Sequence, residues 1–338
     1  MGSFFNSFKA GKFLLGFLSS DPVAFTPHNV RESGESTDAG TRFDLYEPLS
    51  QPMKTVITVH GMTLNGSRDS RLVHFSRYLA HHGIRVAAVE LPGLKSCRFD
   101  GRDIEAMVDL VNSLAAAHGS PVGIIAFSFG AGMAMTAAAD DSIGDNIDFI
   151  VSFGACGSLE EFCESVRKQQ KRTQTTQKEL DDFIYTNAVM AFHVMDQLDF
   201  DGNEREELTR FLVSYCNESS MDAKISYQEN VLQKLDVIDV YERTLDHELL
   251  RAISPSGKMH KLGCKVLLLH DSDDQLIPPD HSRKLFEELT SGGNRKGHRL
   301  LVTSVLSHVN PGNLLRVNQM LTLVKMMGEI FIENPERG

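Results

Sequence analysis

Two spacings of apolar residues alternate along most of the chain. Short, mostly apolar runs at residues 54–59, 84–91, 122–126, 149–153, 265–269 and 299–305 read as strands, and the charge-free run 122–126 has the character of a strand covered on both faces. Between the runs, apolar residues recur every three or four positions. Leu72, Phe75 and Leu79 mark a helix stopped by Gly83, and Ile104, Met107, Val108, Val111, Leu114 and Ala115 mark one closed by Gly119. Leu285, Phe286 and Leu289 mark another, and residues 314–332 a closing helix. Strand, helix, strand, helix with short joints predicts a parallel sheet with right-handed crossovers. Ahead of it, residues 41–46 alternate as an antiparallel edge strand would, and the polar, turn-rich stretch 31–40 reads as a loop.

The rhythm breaks between residues 158 and about 262, where helical spacing continues without a strand. Leu180, Phe183, Ile184, Ala188, Ala191, Phe192, Met195 and Leu198 form one stripe, and Leu208, Phe211, Leu212 and Tyr215 another. Ser158 with Glu161, and Asn203 with Glu206, have the spacing of helix-start capping pairs. The expected division is an apolar N-terminal segment and linker at 1–40, a core at 41–157 and 263–338, and an inserted helical cap at 158–262. Such an insertion leaves and re-enters at the carboxyl edge of the sheet and so overhangs it. Its surplus of apolar residues, among them Phe183, Met190, Phe192, Met195 and Phe211, is expected to pack for the most part and to line an apolar pocket with the rest. The basic run 167–172 reads as a solvated helix face.

Composition narrows the classes. A chain of 338 residues that is 41% hydrophobic can bury one large core with an insertion. The net charge of −11 argues against nucleic acid and anionic membrane as general partners. Cys97, Cys156, Cys163, Cys216 and Cys264 are odd in number and without a C-x-x-C pair, which suggests neither a disulfide framework nor a zinc site and fits a reducing cytoplasm. The apolar run 13–18 is too short to span a membrane. Residues 1–20, with Phe4, Phe5, Phe8, Phe13 and Phe17, are expected to dock on the protein's own surface or on a second subunit in preference to lying in a membrane interface.

The chemistry gathers at residues 121–135, where a strand runs straight into a small-residue helix with Ser128 at the joint. A sharp strand-to-helix turn needs small residues two before and two after its apex, and Ala126 and Gly130 stand there. The pentapeptide Ala126-Phe-Ser-Phe-Gly130 resembles the G-x-S-x-G nucleophile elbow of the α/β-hydrolase superfamily, with alanine in place of the first glycine. His60-Gly61, after the run 54–59, is similar to the family's one-glycine oxyanion form, which implies the backbone N–H groups of Met62 and Phe129 as the oxyanion-hole donors. His270-Asp-Ser-Asp-Asp-Gln-Leu-Ile-Pro278 resembles the family's acid-bearing turn, with Asp271 where glycine is usual, and the register puts the acid on Asp274. Some members keep it after the preceding strand, here near Glu160 or Glu161. The resemblance places the catalytic base on His308, just past the last strand.

The resemblance, which covers residues 41–157 and 263 to the end, implies an α/β-hydrolase fold: a mostly parallel, doubly wound sheet with an inserted helical cap. It further implies a serine hydrolase that cleaves a small carboxylic ester or thioester with an apolar acyl or alkyl part, using Ser128 as nucleophile, His308 as base and Asp274 as orienting acid. An acyltransferase with the same triad is the alternative, and a triad-bearing scaffold without turnover another. A dinucleotide-binding oxidoreductase is disfavoured, since Gly130-Ala-Gly132 lacks the third glycine of its motif, Met135 standing there. No cofactor is called for, and with no H-E-x-x-H no metal; His81, His82 and His193 read as surface or packing residues.

Overall fold

The apolar runs pair into an eight-stranded sheet of order β1-β2-β4-β3-β5-β6-β7-β8. The strands are β1 (Val30–Ser36), β2 (Arg42–Pro48), β3 (Thr55–Val59), β4 (Arg85–Val89), β5 (Val122–Phe127), β6 (Ile147–Phe153), β7 (Lys265–Asp271) and β8 (Arg299–Thr303). β1 and β2 run antiparallel to their neighbours, and the rest are mutually parallel. The computed structural model describes residues 9–14, 16, 17, 25–170, 175–195, 198, 202–215, 220–234, 237–274, 276–291, 297–304, 306, 307, 310, 311 and 317–331.

Neighbouring residues of a strand point to opposite faces, so the unbroken apolar strands feed two cores. Ile57, Val59 and Ile124 face one with α2 (Pro92–Lys95), α3 (Arg102–His118) and α4 (Phe129–Ala138); Val56, Ile125, Val151 and Leu267 face the other with α1 (Ser70–His81) and α12 (Val317–Met327). The helical residues 9–14 dock on this second face. Phe13 is fully buried, with its ring edge-on to Phe75 and Tyr78, and Phe17 stacks on His74. Residues 1–8 lie outside the described residues. Among the described residues no helix is long and apolar enough to cross a membrane.

Three local expectations are corrected. The stretch expected as a loop holds β1, which pairs with β2 over seven residues. The cause of the miss is physical: Val-Arg-Glu-Ser-Gly-Glu-Ser is held by backbone hydrogen bonds at the edge of the sheet, with most side chains exposed, and carries no apolar alternation. β2 is therefore not the edge strand but the second. Asn203 does not cap a helix but lies inside α7 (Gly202–Ser214).

Between β6 and β7 come α5 (Leu159–Gln170), α6 (Gln177–His193), α7, α8 (Met221–Asn230), α9 (Val237–Thr244) and α10 (His247–Ile253), and no strand among the described residues. Ser158 caps α5 by accepting from the Glu161 N–H, and Thr176 with Glu179 forms a capping box at the start of α6. The α6 stripe leaves the helix after His193, with Met195 and Leu198 beyond its end. The two ends of the insertion are tied together: the Ser256 N–H donates to the Gly157 carbonyl at 3.0 Å, and the Leu159 N–H to Ser254 Oγ at 3.0 Å. From β7 the chain continues through α11 (Asp280–Ser291) to β8 and the short pair β9 (Leu306–Ser307) and β10 (Asn310–Pro311).

Candidate active site

Ser128 sits where β5 turns into α4, with φ 55° and ψ −128°. Among the described non-glycine residues only it and Cys97 have positive φ, a conformation that costs on the order of 1–3 kcal/mol and persists only where the surroundings enforce it. The enforcement is visible. Its N–H donates to the Phe153 carbonyl of β6 at 2.7 Å, while its carbonyl accepts from the Ala131 N–H at 3.0 Å and so starts the helix. Every residue of α4 is buried, which leaves no room for a wider turn. A Cβ on Gly130 would stand 2.0 Å from the His60 carbonyl oxygen, so this position must be glycine. Ala126 is fully buried and tolerated.

The loop after β3 runs against this turn. A Cβ on Gly61 would lie 3.1 Å from Ser128 Cβ and 3.7 Å from its Oγ. His60, fully buried, orients the loop. The Leu91 N–H donates to its Nε2 at 3.0 Å, so the proton is on Nδ1, which donates to the Gly61 carbonyl at 2.6 Å. Burial lowers the pKa of His60 and keeps the ring neutral. In a trans peptide the N–H points opposite to the C=O, so fixing the Gly61 carbonyl on the ring turns the Met62 N–H away from it. Phe129 opens α4, and its N–H is one of the four a helix leaves without an intrahelical partner, at the positive end of the dipole.

Asp274 follows β7, two strands from β5. Its Oδ1 accepts the N–H groups of Leu276 and Ile277, each at 3.0 Å, and the side chain is buried, whereas Asp273 is exposed. Asp271 is also buried, but its carboxylate closes its own turn by accepting the Asp273 N–H. Sequence reasoning missed two histidines here. His270 donates from Nε2 to the Ile277 carbonyl at 2.8 Å, accepts from Ser282 Oγ at Nδ1, and lies 3.6 Å from Asp274 Oδ2. His281 accepts the N–H groups of Gly157 and Ser158 at Nδ1, and burial lowers its pKa to about 4. His270 stands in the acid-turn stretch itself, so its place was the available signal. His308 lies outside the described residues, as do Cys216 and residues 171–172 of the basic run. Glu160 and Glu161 bond at the surface, to His247 and Arg251 and to Lys284.

The helices between β6 and β7 pack against α4 and the segment after β4. Phe162 of α5 meets Phe129 edge-on at 4.8 Å, Thr136 Oγ1 of α4 donates to the Ile253 carbonyl at 2.9 Å, and His193 Nδ1 lies 3.0 Å from the Cys97 carbonyl. Met190 and Phe211 are buried, and Phe183, Phe192 and Met195 pack against the same cluster. A cleft between these helices and the loop after β3 is lined by Thr63, Asn65, Asp69, Arg71, Tyr185 and Leu212. Among the described residues no group of three or more His, Cys, Asp or Glu is arranged to hold a metal ion.

A family profile described as the alpha/beta hydrolase family matches residues 56–304, more than half of the chain. No curated protein matches by sequence. Among solved structures, an esterase from Pyrococcus furiosus is 14% identical with a TM-score of 0.52, the match covering 90% of this chain and 94% of that one. An acylaminoacyl peptidase from Pyrococcus horikoshii is also 14% identical, with a TM-score of 0.51, covering 94% of this chain and 43% of that one. A puromycin-hydrolyzing peptidase from Mycobacterium tuberculosis is 15% identical with a TM-score of 0.50, covering 89% and 39%. The chain thus spans about two-fifths of the length of these peptidases. At these identities the likeness is one of fold.

Proposed function

The chain belongs to the alpha/beta hydrolase family, and from that premise we propose that it is a serine hydrolase cleaving a carboxylic ester or thioester through an acyl-enzyme on Ser128. The observation that carries the reading is the strained backbone of Ser128 at the apex between β5 and α4, with the Gly61 loop in contact with it. A serine hydroxyl is a poor nucleophile unless a base takes its proton as it attacks. In the proposed mechanism His308 takes that proton while Ser128 Oγ bonds to the carbonyl carbon, and Asp274 stabilises the imidazolium. The oxyanion accepts from the Met62 and Phe129 N–H groups. His308 then protonates the departing alkoxide or thiolate, and the acyl group stays on Ser128. Water, deprotonated by His308, attacks the acyl carbon; the carboxylic acid leaves and Ser128 recovers its proton.

Support for Asp274 over its neighbours comes from its two backbone donors, which hold the buried carboxylate at Oδ1, whereas Asp273 is exposed and Asp271 is engaged by its own turn. The cap, seated over Phe129, supports an apolar acyl or alkyl chain lodged beneath it. Each buried methylene adds up to ~0.8 kcal/mol, so kcat/KM rises about two- to fourfold per carbon until the space is full. The test is turnover of p-nitrophenyl esters from acetate to octanoate by wild type, Ser128→Ala, His308→Ala and the three variants Asp271→Asn, Asp273→Asn and Asp274→Asn. Ser128→Ala and His308→Ala should lose about a thousandfold or more in kcat, and Asp274→Asn should be the most damaging of the three aspartate changes. Undiminished turnover by Ser128→Ala would overturn the reading.

A further inference from the structure

The oxyanion loop is gripped from two sides, and one grip comes from the cap. His60 holds the Gly61 carbonyl from within the body, as described. The next peptide is held from a distance of 123 residues in sequence: the hydroxyl of Tyr185, on α6, donates to the Met62 carbonyl at 3.0 Å. The backbone of Met62 thus lies between two peptide planes, each pinned by a side chain. The Tyr185 ring is itself held, tilted against Tyr215 of α7 with centroids 5.0 Å apart, and it lines the cleft beside Thr63 and Asn65.

We propose that Tyr185 is a positioning residue that ties the cap to the oxyanion loop, so that the Met62 N–H is aimed at the reacting carbonyl only while the cap is seated. The inference rests on the reading of Met62 as an oxyanion donor. Its physical basis is that a donor stabilises a developing oxyanion in proportion to how well it is aimed in advance. The bond from His60 fixes one point of the Gly61–Met62 peptide, and that plane can still swing about the point as the loop beyond it drifts. The hydrogen bond from Tyr185 removes that freedom. Tyr185 acts through the Met62–Thr63 peptide, whose carbonyl its hydroxyl holds. A cap lifted away from the body would release the loop, and cap closure and oxyanion stabilisation are one event.

The test compares Tyr185→Phe with Tyr215→Phe in the full chain. Tyr215 is the control: its hydroxyl bonds the Asp181 carbonyl and Oδ1, each at 2.7 Å, within the cap and far in the chain from the oxyanion loop, so its loss costs the fold at least as much hydrogen bonding. Tyr185→Phe should lower kcat for an activated ester about tenfold with KM within twofold, and should slow phosphonylation of Ser128 by a fluorophosphonate by the same factor. Tyr215→Phe should leave both within twofold at a similar or larger drop in melting temperature. A third variant carrying para-aminophenylalanine at position 185 restores a donor at the ring's far end and should recover most of the rate; it also keeps the test open if Tyr185→Phe fails to fold. Equal effects of the two phenylalanine variants, a loss confined to KM, or no recovery by the amino variant would each overturn the role of Tyr185. A wild-type enzyme that takes no phosphonate on Ser128 would instead overturn the hydrolase reading beneath it.

Discussion

Around Ser128 the constraints are backbone against backbone: the helix opening at Gly130 passes so close to the His60 carbonyl that no Cβ fits, and the Ser128 N–H is bonded into the next strand. In the cap they are side chain to side chain. Lys224 of α8 bonds Asp181 of α6 at 2.8 Å while lying over the Tyr215 ring, and Asn187 of α6 donates to Gln228 of α8 at 3.2 Å. The elbow therefore tolerates almost no change of size and holds one conformation. The helices between β6 and β7 are held by apolar side chains packed into the same cluster as α4, by these polar pairs and by the ties at their two ends, side-chain contacts that can repack at lower cost than the backbone contacts of the elbow.

The sharpest way to break this contrast is glycine substitution. Gly130→Ala puts a methyl 2.0 Å from a backbone oxygen, which should cost more than about 3 kcal/mol in chemical denaturation or abolish folding. Gly202→Ala, in the cap at the start of α7 with nothing within 4 Å of its added methyl, should be neutral or stabilising by less than about 1 kcal/mol. A tolerated Gly130→Ala would mean that the elbow is looser than described.

The hinge between the two regions should respond to pH through His281, whose ring accepts both N–H groups at the cap entrance. Its folded pKa of about 4 lies below the ordinary value, so the unfolded chain binds the extra proton first. The contribution is complete above the ordinary histidine pKa and is lost as pH falls toward 4, amounting to about 3 kcal/mol for the full shift. Asp103 acts with the opposite sign: burial pushes its carboxyl up to about 6, and its contribution is lost as pH rises through that value. Denaturation curves of wild type and His281→Gln, from pH 7 to pH 4, isolate the histidine. Wild type should lose up to about 3 kcal/mol more than the variant across that window; parallel curves would remove His281 from the hinge.

Asn187→Ala, which strands a buried Gln228 inside the cap, should cost about 1–3 kcal/mol. Because the elbow does not depend on that pair, phosphonylation of Ser128 should slow by less than twofold below the melting transition. A thousandfold loss would mean that cap and elbow are one rigid unit.

The same contrast explains what the sequence made legible. The elbow could be read because its demands fall on neighbouring residues: a strand, a serine, a small residue at Ala126 and at Gly130, and a helix of small residues to follow. The register of a turn that the resemblance supplies names Asp274, and the structure adds that its carboxylate closes on backbone N–H groups within three residues. β1 could not be read, since edge pairing uses main-chain groups that every sequence carries. Nor could Tyr185, His281 or the Asn187–Gln228 pair, whose partners lie 123, 124 and 41 residues away and meet only after folding. Capping signals fell between: Ser158 and Glu161 mark a true helix start, while Asn203 and Glu206, at the same spacing, lie inside α7.

The most direct measurement is the mass of the intact protein after reaction with a fluorophosphonate, followed by mapping of the modified peptide. The proposed mechanism predicts one adduct per chain, on Ser128, and none in Ser128→Ala. An adduct on another residue, or an unmodified wild-type chain under conditions that modify a known serine esterase, would contradict it.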